Sequence, residues 1–265
     1  MPQNPQEGRR TPPISRGKRN RKRHDLNGPI RRACIVVLFL EALFFLLFYP
    51  GFWVRNVQVD GLETLTPAEA LAATGLHPRT NIFVAAFHVP VVRNVEKLTV
   101  VDHVSRAVEL PGTLVLHVAE RRPYAVLWSN SGYWLMDDKR VPYASEPGPV
   151  NGLPTIKATD LAASEPVALG TQIRSDWLAQ AYSLLSLLSN KQSLQPKLIT
   201  VDQNANLCLN RLDNLRINIG SPDDLPSKVW SADVIARTIS SADVAKTDYV
   251  DVTSPTHTAL MLRRG

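Results

Sequence analysis

The stretch VRNVQVDGLETLTPAEALAATG, residues 54–75, decides the fold together with VSRAVELPGTLVLHVAERRPYAVL, residues 104–127. In the first, Val57 and Val59 share one face of a short strand and Asp60-Gly61 makes a turn. A helix then opens at Thr66, with Pro67 at its first position and Glu69 three residues after the cap. Gly75 closes that helix, because a residue without a Cβ takes the left-handed conformation at no steric cost. Asn81 to Ala86 leads into a segment around Val89 to Leu98 with Val91, Val92, Val95 and Leu98 at helical spacing. In the second stretch, strands Val104–Glu109 and Thr113–Glu120 flank the tight turn Leu110-Pro111-Gly112. Leu114, Leu116 and Val118 alternate there with Val115, His117 and Ala119, so neither face is clearly polar. The order is β-α-α-β-β.

Upstream, ACIVVLFLEALFFLLFYPGFWV runs from Ala33 to Val54, about 33 Å as a helix and enough to cross a bilayer. Pro50 and Gly51 stop it. Tyr49, Phe52 and Trp53 at the far end and Arg31 and Arg32 at the near end orient the span with its N-terminus in the cytoplasm. A membrane helix over 33–53 is expected; a cleaved signal peptide is disfavoured because the apolar run is long and Gly51 to Arg55 lack a small-residue cleavage site. Glu41 interrupts the run. Its cost of about +3 kcal/mol is outweighed by roughly −4 to −7 kcal/mol from the strongly apolar residues between Ile35 and Phe48. Two readings of Glu41 stay open: a hydrogen bond to a partner helix within the membrane, or a protonated side chain with no specific partner.

Downstream, Tyr124–Trp128 and Tyr133–Met136 flank Asn130-Ser131-Gly132, a hairpin signal. Ser175 opens a helix whose Trp177, Ala181, Leu184, Leu185 and Leu188 make one apolar face. A second helix over Ser227–Ser241 precedes two closing strands, Tyr249–Val252 and His257–Leu262. Strands with a few packed helices give an α+β architecture, divided as a basic tail at 1–32, the membrane helix at 33–53, a first module at 54–122, a β-rich domain at 123–262 and a short end at 263–265.

Residues 1–32 hold ten of the 30 bases and two of the 24 acids, a net of +8, whereas the remainder is −2. The bulk of the chain therefore has no electrostatic motive to bind nucleic acid, and the Arg16–Arg23 run reads as the cytoplasmic flank of the span. Cys34 and Cys208 lie on opposite sides of the expected span, with no metal or redox spacing. No phosphate loop, HExxH or G-x-S-x-G occurs. The histidines at 24, 77, 88, 103, 117 and 257 lack ligand spacing. The Ser15-to-Lys18 motif sits where no scaffold holds it. Asp137-Asp138 and Asp223-Asp224 read as solvated turn formers. No enzyme, cofactor or metal is expected.

The combination of a basic tail, a single span and the stretches quoted above resembles the bacterial cell-division FtsQ/DivIB family, whose module after the span is a POTRA domain. Gly61, Thr66, Val104, Ala107, Pro111, Thr113, Leu114, Glu120, Arg121 and Pro123 match its pattern. Tyr133 to Asp137 resembles the family's strand ending in Asp, with Lys139-Arg140 where Gly is the rule. Gly220, Lys228 and the Tyr249–Val252 strand match further on, while Val150 to Asn206 matches by position only. The resemblance implies a non-enzymatic single-pass scaffold of the plasma membrane at the division septum.

The closing strand is the candidate site. Thr258, Leu260 and Leu262 share one face and Ala259 and Met261 the other, beside Tyr249 and Asp251. On the residues alone it is either a free edge open to strand addition or a covered last strand. The resemblance favours the free edge and implies that FtsB-like and FtsL-like single-pass division proteins dock there, with the POTRA domain serving recruitment. Competing readings are a POTRA-bearing export or membrane-assembly factor and an anchored extracytoplasmic hydrolase.

Overall fold

A computed structural model describes residues 27–77, 79–87, 89–159 and 167–263. Most of the basic tail, the Ser15–Lys18 motif, His24 and His88 lie outside the described residues. The chain divides into two compact units, residues 1–49 and 50–265.

The first unit contains α1, Asn27–Phe48. The helix is shifted from the expected 33–53. It starts earlier and takes Arg31 and Arg32 into its second turn, and it ends before Pro50, whose missing N–H cannot continue the ladder. Among the described residues no helix is long and apolar enough to cross a membrane. Its apolar part, Ala33 to Phe48, is roughly 24 Å long.

The second unit opens with a 3-10 turn at Pro50–Phe52 and then β1, Asn56–Asp60. Next come α2 (Pro67–Thr74), α3 (Ile82–Phe87), α4 (Val89–Glu96), β2 (Val101–Glu109) and β3 (Thr113–Glu120). The sheet order is β1-β3-β2, with β1 parallel and β2 antiparallel to β3. Three helices stand where two were expected. Asn81 starts the extra one by accepting from the backbone N–H of Phe83 at 2.8 Å and Val84 at 3.3 Å. At α2, Thr66 and Glu69 form the capping box read from the sequence, and Gly75 closes the helix at φ +64°. Ile82, Val91, Val95, Leu114 and Leu116 centre this module's core.

The remaining strands build one nine-stranded sheet. They are β4 (Ala125–Ser129), β5 (Gly132–Met136), β6 (Pro142–Glu146), β7 (Thr155–Ala158), β8 (Pro196–Val201), β9 (Leu207–Arg211), β10 (Arg216–Gly220), β11 (Thr247–Asp251) and β12 (Ala259–Leu262). Their order is β12-β11-β10-β9-β8-β7-β4-β5-β6. Two helices, α5 (Asp176–Leu188) and α6 (Leu225–Thr238), pack on the sheet, and a short α7 (Ser241–Lys246) leads into β11. The α5 stripe is buried at Ala181, Leu184, Leu185 and Leu188, with Trp177 half-covered. The second expected helix breaks at Ile239, whose backbone is extended, and Ser240 caps a new one. Across the sheet, Leu127, Ile156, Ile199, Leu209, Ile217 and Val250 stand in register on the helix-covered side.

Candidate functional site

The last two strands place the candidate residues. In β11, Tyr249, Val250 and Asp251 pair in parallel with Arg216, Ile217 and Asn218 of β10. Val250 points into the core and is fully buried, so by the period of two Tyr249 and Asp251 lie on the opposite face. Leu260 stands opposite Val250, Met261 opposite Tyr249, and Ala259 opposite Asp251. Ala259, Leu260, Met261 and Leu262 are all exposed, Leu262 by 65 %. Among the described residues no strand pairs with the outer side of β12. Thr258 is exposed and sits just before the strand. The strand begins at Ala259, two residues later than expected, because residues 254–257 are drawn into a turn: the His257 N–H donates to the Ser254 carbonyl at 3.1 Å.

That turn is held by residues outside it. The Ser231 hydroxyl on α6 donates to the Pro255 carbonyl at 3.1 Å, and the Val252 N–H donates to the Asn218 carbonyl at 2.9 Å. Asp251 is occupied locally, its Oδ1 accepting from the Thr253 N–H at 2.9 Å and the Thr253 hydroxyl at 2.6 Å. Gly220 has φ +72°, and a Cβ there would meet the Thr253 methyl at 2.7 Å. Lys228, only 4 % exposed, donates to the Ser221 carbonyl at 2.9 Å. The two motif positions therefore fix the corner on which the β11–β12 turn rests. The far end is pinned by Arg263, whose N–H donates to the Lys246 carbonyl at 2.8 Å. The Arg216 guanidinium lies 5.2 Å from the Tyr249 ring centroid, a cation–π contact beside the edge. Glu41 falls within α1, exposed among apolar neighbours.

The expectation that Asp137-Asp138 is a solvated turn pair is corrected. Asp137 is 2 % exposed and accepts at Oδ1 from the N–H of Lys139 and Val141, while its Oδ2 meets Arg121. It is buried because a guanidinium compensates it. Arg140 supplies the turn in place of Gly, at φ +65°. Arg121 also touches Asp102 at 3.3 Å, Lys139 reaches Asp102 at 2.6 Å, and the Tyr182 hydroxyl donates to the Asp137 carbonyl oxygen at 2.8 Å. Burial pushes the Tyr182 phenol up, and the Asp137 charge adds to the effect. Glu120 accepts from the backbone N–H of Glu63, Thr64 and Leu65 and from the Thr64 hydroxyl. Partial burial acts to raise its carboxyl, and these donors outweigh it and hold it below the usual range. Sequence reasoning matched Glu120 and Arg121 to a pattern without their jobs: one fastens the β1–α2 loop, the other joins the two sheets.

Exposed histidines stand beside carboxylates, His103 near Glu96 at 3.5 Å and His117 near Asp60 at 3.6 Å. Among the described residues no group of three His, Cys, Asp or Glu could hold a metal ion, and Cys34 and Cys208 are free thiols.

A small mixed sheet with capped helices, fastened by the Arg121–Asp137 pair to a large one-sided sheet, defines an α+β protein of the POTRA-bearing class, and the family model for the FtsQ-type POTRA domain matches residues 52–121. The chain is 27 % identical over 225 residues to the cell division protein FtsQ of Chloroflexus aurantiacus, covering 83 % of this chain and 79 % of that protein. It is 28 % identical over 181 residues to that of Chloroflexus aggregans, 66 % of this chain and 63 % of the relative. With that of Mycolicibacterium smegmatis it shares 30 % over 138 residues, 51 % of this chain and 40 % of the relative. Along most of its length the chain is thus similar to proteins of the FtsQ/DivIB family.

Proposed function

We propose that this protein is a non-enzymatic bitopic scaffold of the bacterial division machinery. It gathers FtsB-like and FtsL-like single-pass partners at the septum by strand addition to β12 and links them to cell-wall synthesis. The observation that carries the reading is the free outer side of β12 with its four exposed side chains, at the rim of a nine-stranded sheet. A strand there offers main-chain donors and acceptors for affinity and alternating side chains for specificity. Its relatives are cell division proteins by name. The helix α1, whose Ala33–Phe48 part is apolar but for Glu41, serves as the plasma-membrane anchor, with the tail cytoplasmic and the two folded modules outside. Glu41 is a partner contact for another membrane helix. Tethering several docking modules on one anchor raises the effective concentration of the partners.

The test is affinity purification of the full-length protein from gently crosslinked membranes, compared with a chain truncated at Ser254. Small single-pass proteins lost on truncation support docking at β12. Their persistence moves the interface to POTRA or α1, and their absence from both samples overturns the scaffold reading.

A further inference from the structure

We propose that the end of the POTRA domain at which the chain enters it is a lipid-contacting surface, seated in the headgroup layer of the bilayer. This rests on the reading of α1 as the anchor and goes beyond it. The apolar part of α1 is roughly 24 Å long, whereas a hydrocarbon core is about 30 Å thick. The shortfall of about 6 Å falls on Tyr49 to Trp53, where the chain has already left the helix.

Phe52 and Trp53 do not enter that layer alone. The Phe52 ring packs edge-on against Phe83 of α3, with centroids 5.3 Å apart. Trp53 forms a β-bridge with Asn81 and carries the Arg79 guanidinium 5.8 Å from its ring, and the Val54 N–H donates to the Thr80 carbonyl at 2.8 Å. The β2–β3 turn is fastened to the same place, because the Arg55 N–H donates to the Gly112 carbonyl at 2.8 Å and a Cβ on Gly112 would meet the Trp53 carbonyl at 2.7 Å. Where Trp53 goes, α3 and this turn follow.

Both elements carry bulky apolar groups that this folded unit leaves bare: Phe87 is 79 % exposed, Leu110 60 % and Val84 45 %. Large rings beside exposed aliphatics settle at the headgroup level, where one end is apolar and the other wet. The charge agrees. Arg55 and Arg79 are exposed beside Trp53, and between Gly75 and Val95 the chain holds Arg79 and Arg93 with no Asp or Glu, although residues 33–265 as a whole are net −2. Cations at that depth meet anionic headgroups.

The test uses the full-length chain with Cys34 and Cys208 replaced by Ser, in nanodiscs of phosphatidylethanolamine and phosphatidylglycerol. A nitroxide is attached at Phe87→Cys, Val84→Cys or Leu110→Cys, and the ratio of its collisions with oxygen to those with a nickel chelate is read by EPR. Phe39→Cys in α1 and Asn130→Cys in the β4–β5 turn are the lipid and water references. The expected ratio at 84, 87 and 110 is several-fold above that at 130 and below that at 39. Values equal to position 130, with position 39 still high, overturn the surface while the anchor stands. A water-like value at position 39 overturns the anchor, and the surface with it.

Discussion

The guanidinium of Arg121, just past the end of β3, lies 2.5 Å from the Oδ2 of Asp137, just past the end of β5 in the other sheet. The two side chains are only 11 % and 3 % exposed, so the bond that joins the modules is shielded from solvent. Its strength depends on both partners being present, since either charge alone would be left in a poor dielectric.

Replacing Arg121 with Met is therefore expected to cost about 3–5 kcal/mol, as for a broken buried ion pair. Urea unfolding checks this. The double variant Arg121→Met with Asp137→Leu removes both charges and should recover a large part of the loss; no recovery would mean that the guanidinium matters for packing alone.

Leu260→Pro should abolish co-purification of the single-pass partners while leaving the POTRA module folded. Proline removes an N–H from β12 and fixes its φ, yet the strand lies at the rim and shields little of the core. Partner retention at the wild-type level would show that β12 is not the docking strand.

At Gly220, alanine should destabilise the protein by about 1–2 kcal/mol for the left-handed backbone, plus the collision with Thr253. Adding Thr253→Gly should relieve the collision and leave the backbone part. Calorimetry of the two single variants and the double isolates the coupling. Additive losses would place the Thr253 methyl out of reach.

Asp233 on α6 accepts from Lys191 at 3.0 Å, from Arg237 at 3.0 Å, and from the Ser193 hydroxyl. Burial works to raise its carboxyl, but Ser193, Lys191 and Arg237 together bring it from 3.8 down to about 2. A carboxyl held below its unfolded value stabilises the fold above that value, and the contribution disappears as pH falls through the folded one. Stability should thus drop between about pH 4 and pH 2, and Asp233→Asn should flatten that part of the curve. An unchanged slope would show that other carboxyls govern it.

Local signals made the POTRA module legible. Thr66, Pro67, Glu69 and Gly75 act within a few residues of one another, so their spacing alone writes the α2 ends. Asn81 is an equally local cap, and the N–H groups of Phe83 and Val84 that it accepts from set α3 apart from the helix expected after it. The burial of Asp137 was not legible, because its partner comes from another sheet and an Asp-Asp pair in a turn looks the same with or without it. The end of α1 differs from the expected one because Tyr49, Phe52 and Trp53 are as apolar as a helix interior, while Pro50 decides the backbone. For the candidate edge, the sequence shows which residues alternate, and among the described residues no strand covers them. Strands β7 and β8 are unreadable at the level of pattern: TIKA and PKLITV are short and lack clean alternation of apolar and polar residues.

The order of strands has a metric consequence. The junction hangs on the turn after β5, and seven strand spacings separate β5 from β12. At about 4.8 Å each, they amount to about 34 Å. The sheet thus works as a ruler graduated in strands: a partner added to β12 would be held at a set standoff from Arg121. Deleting one hairpin would shorten that distance by about 10 Å without altering a contact residue at either end.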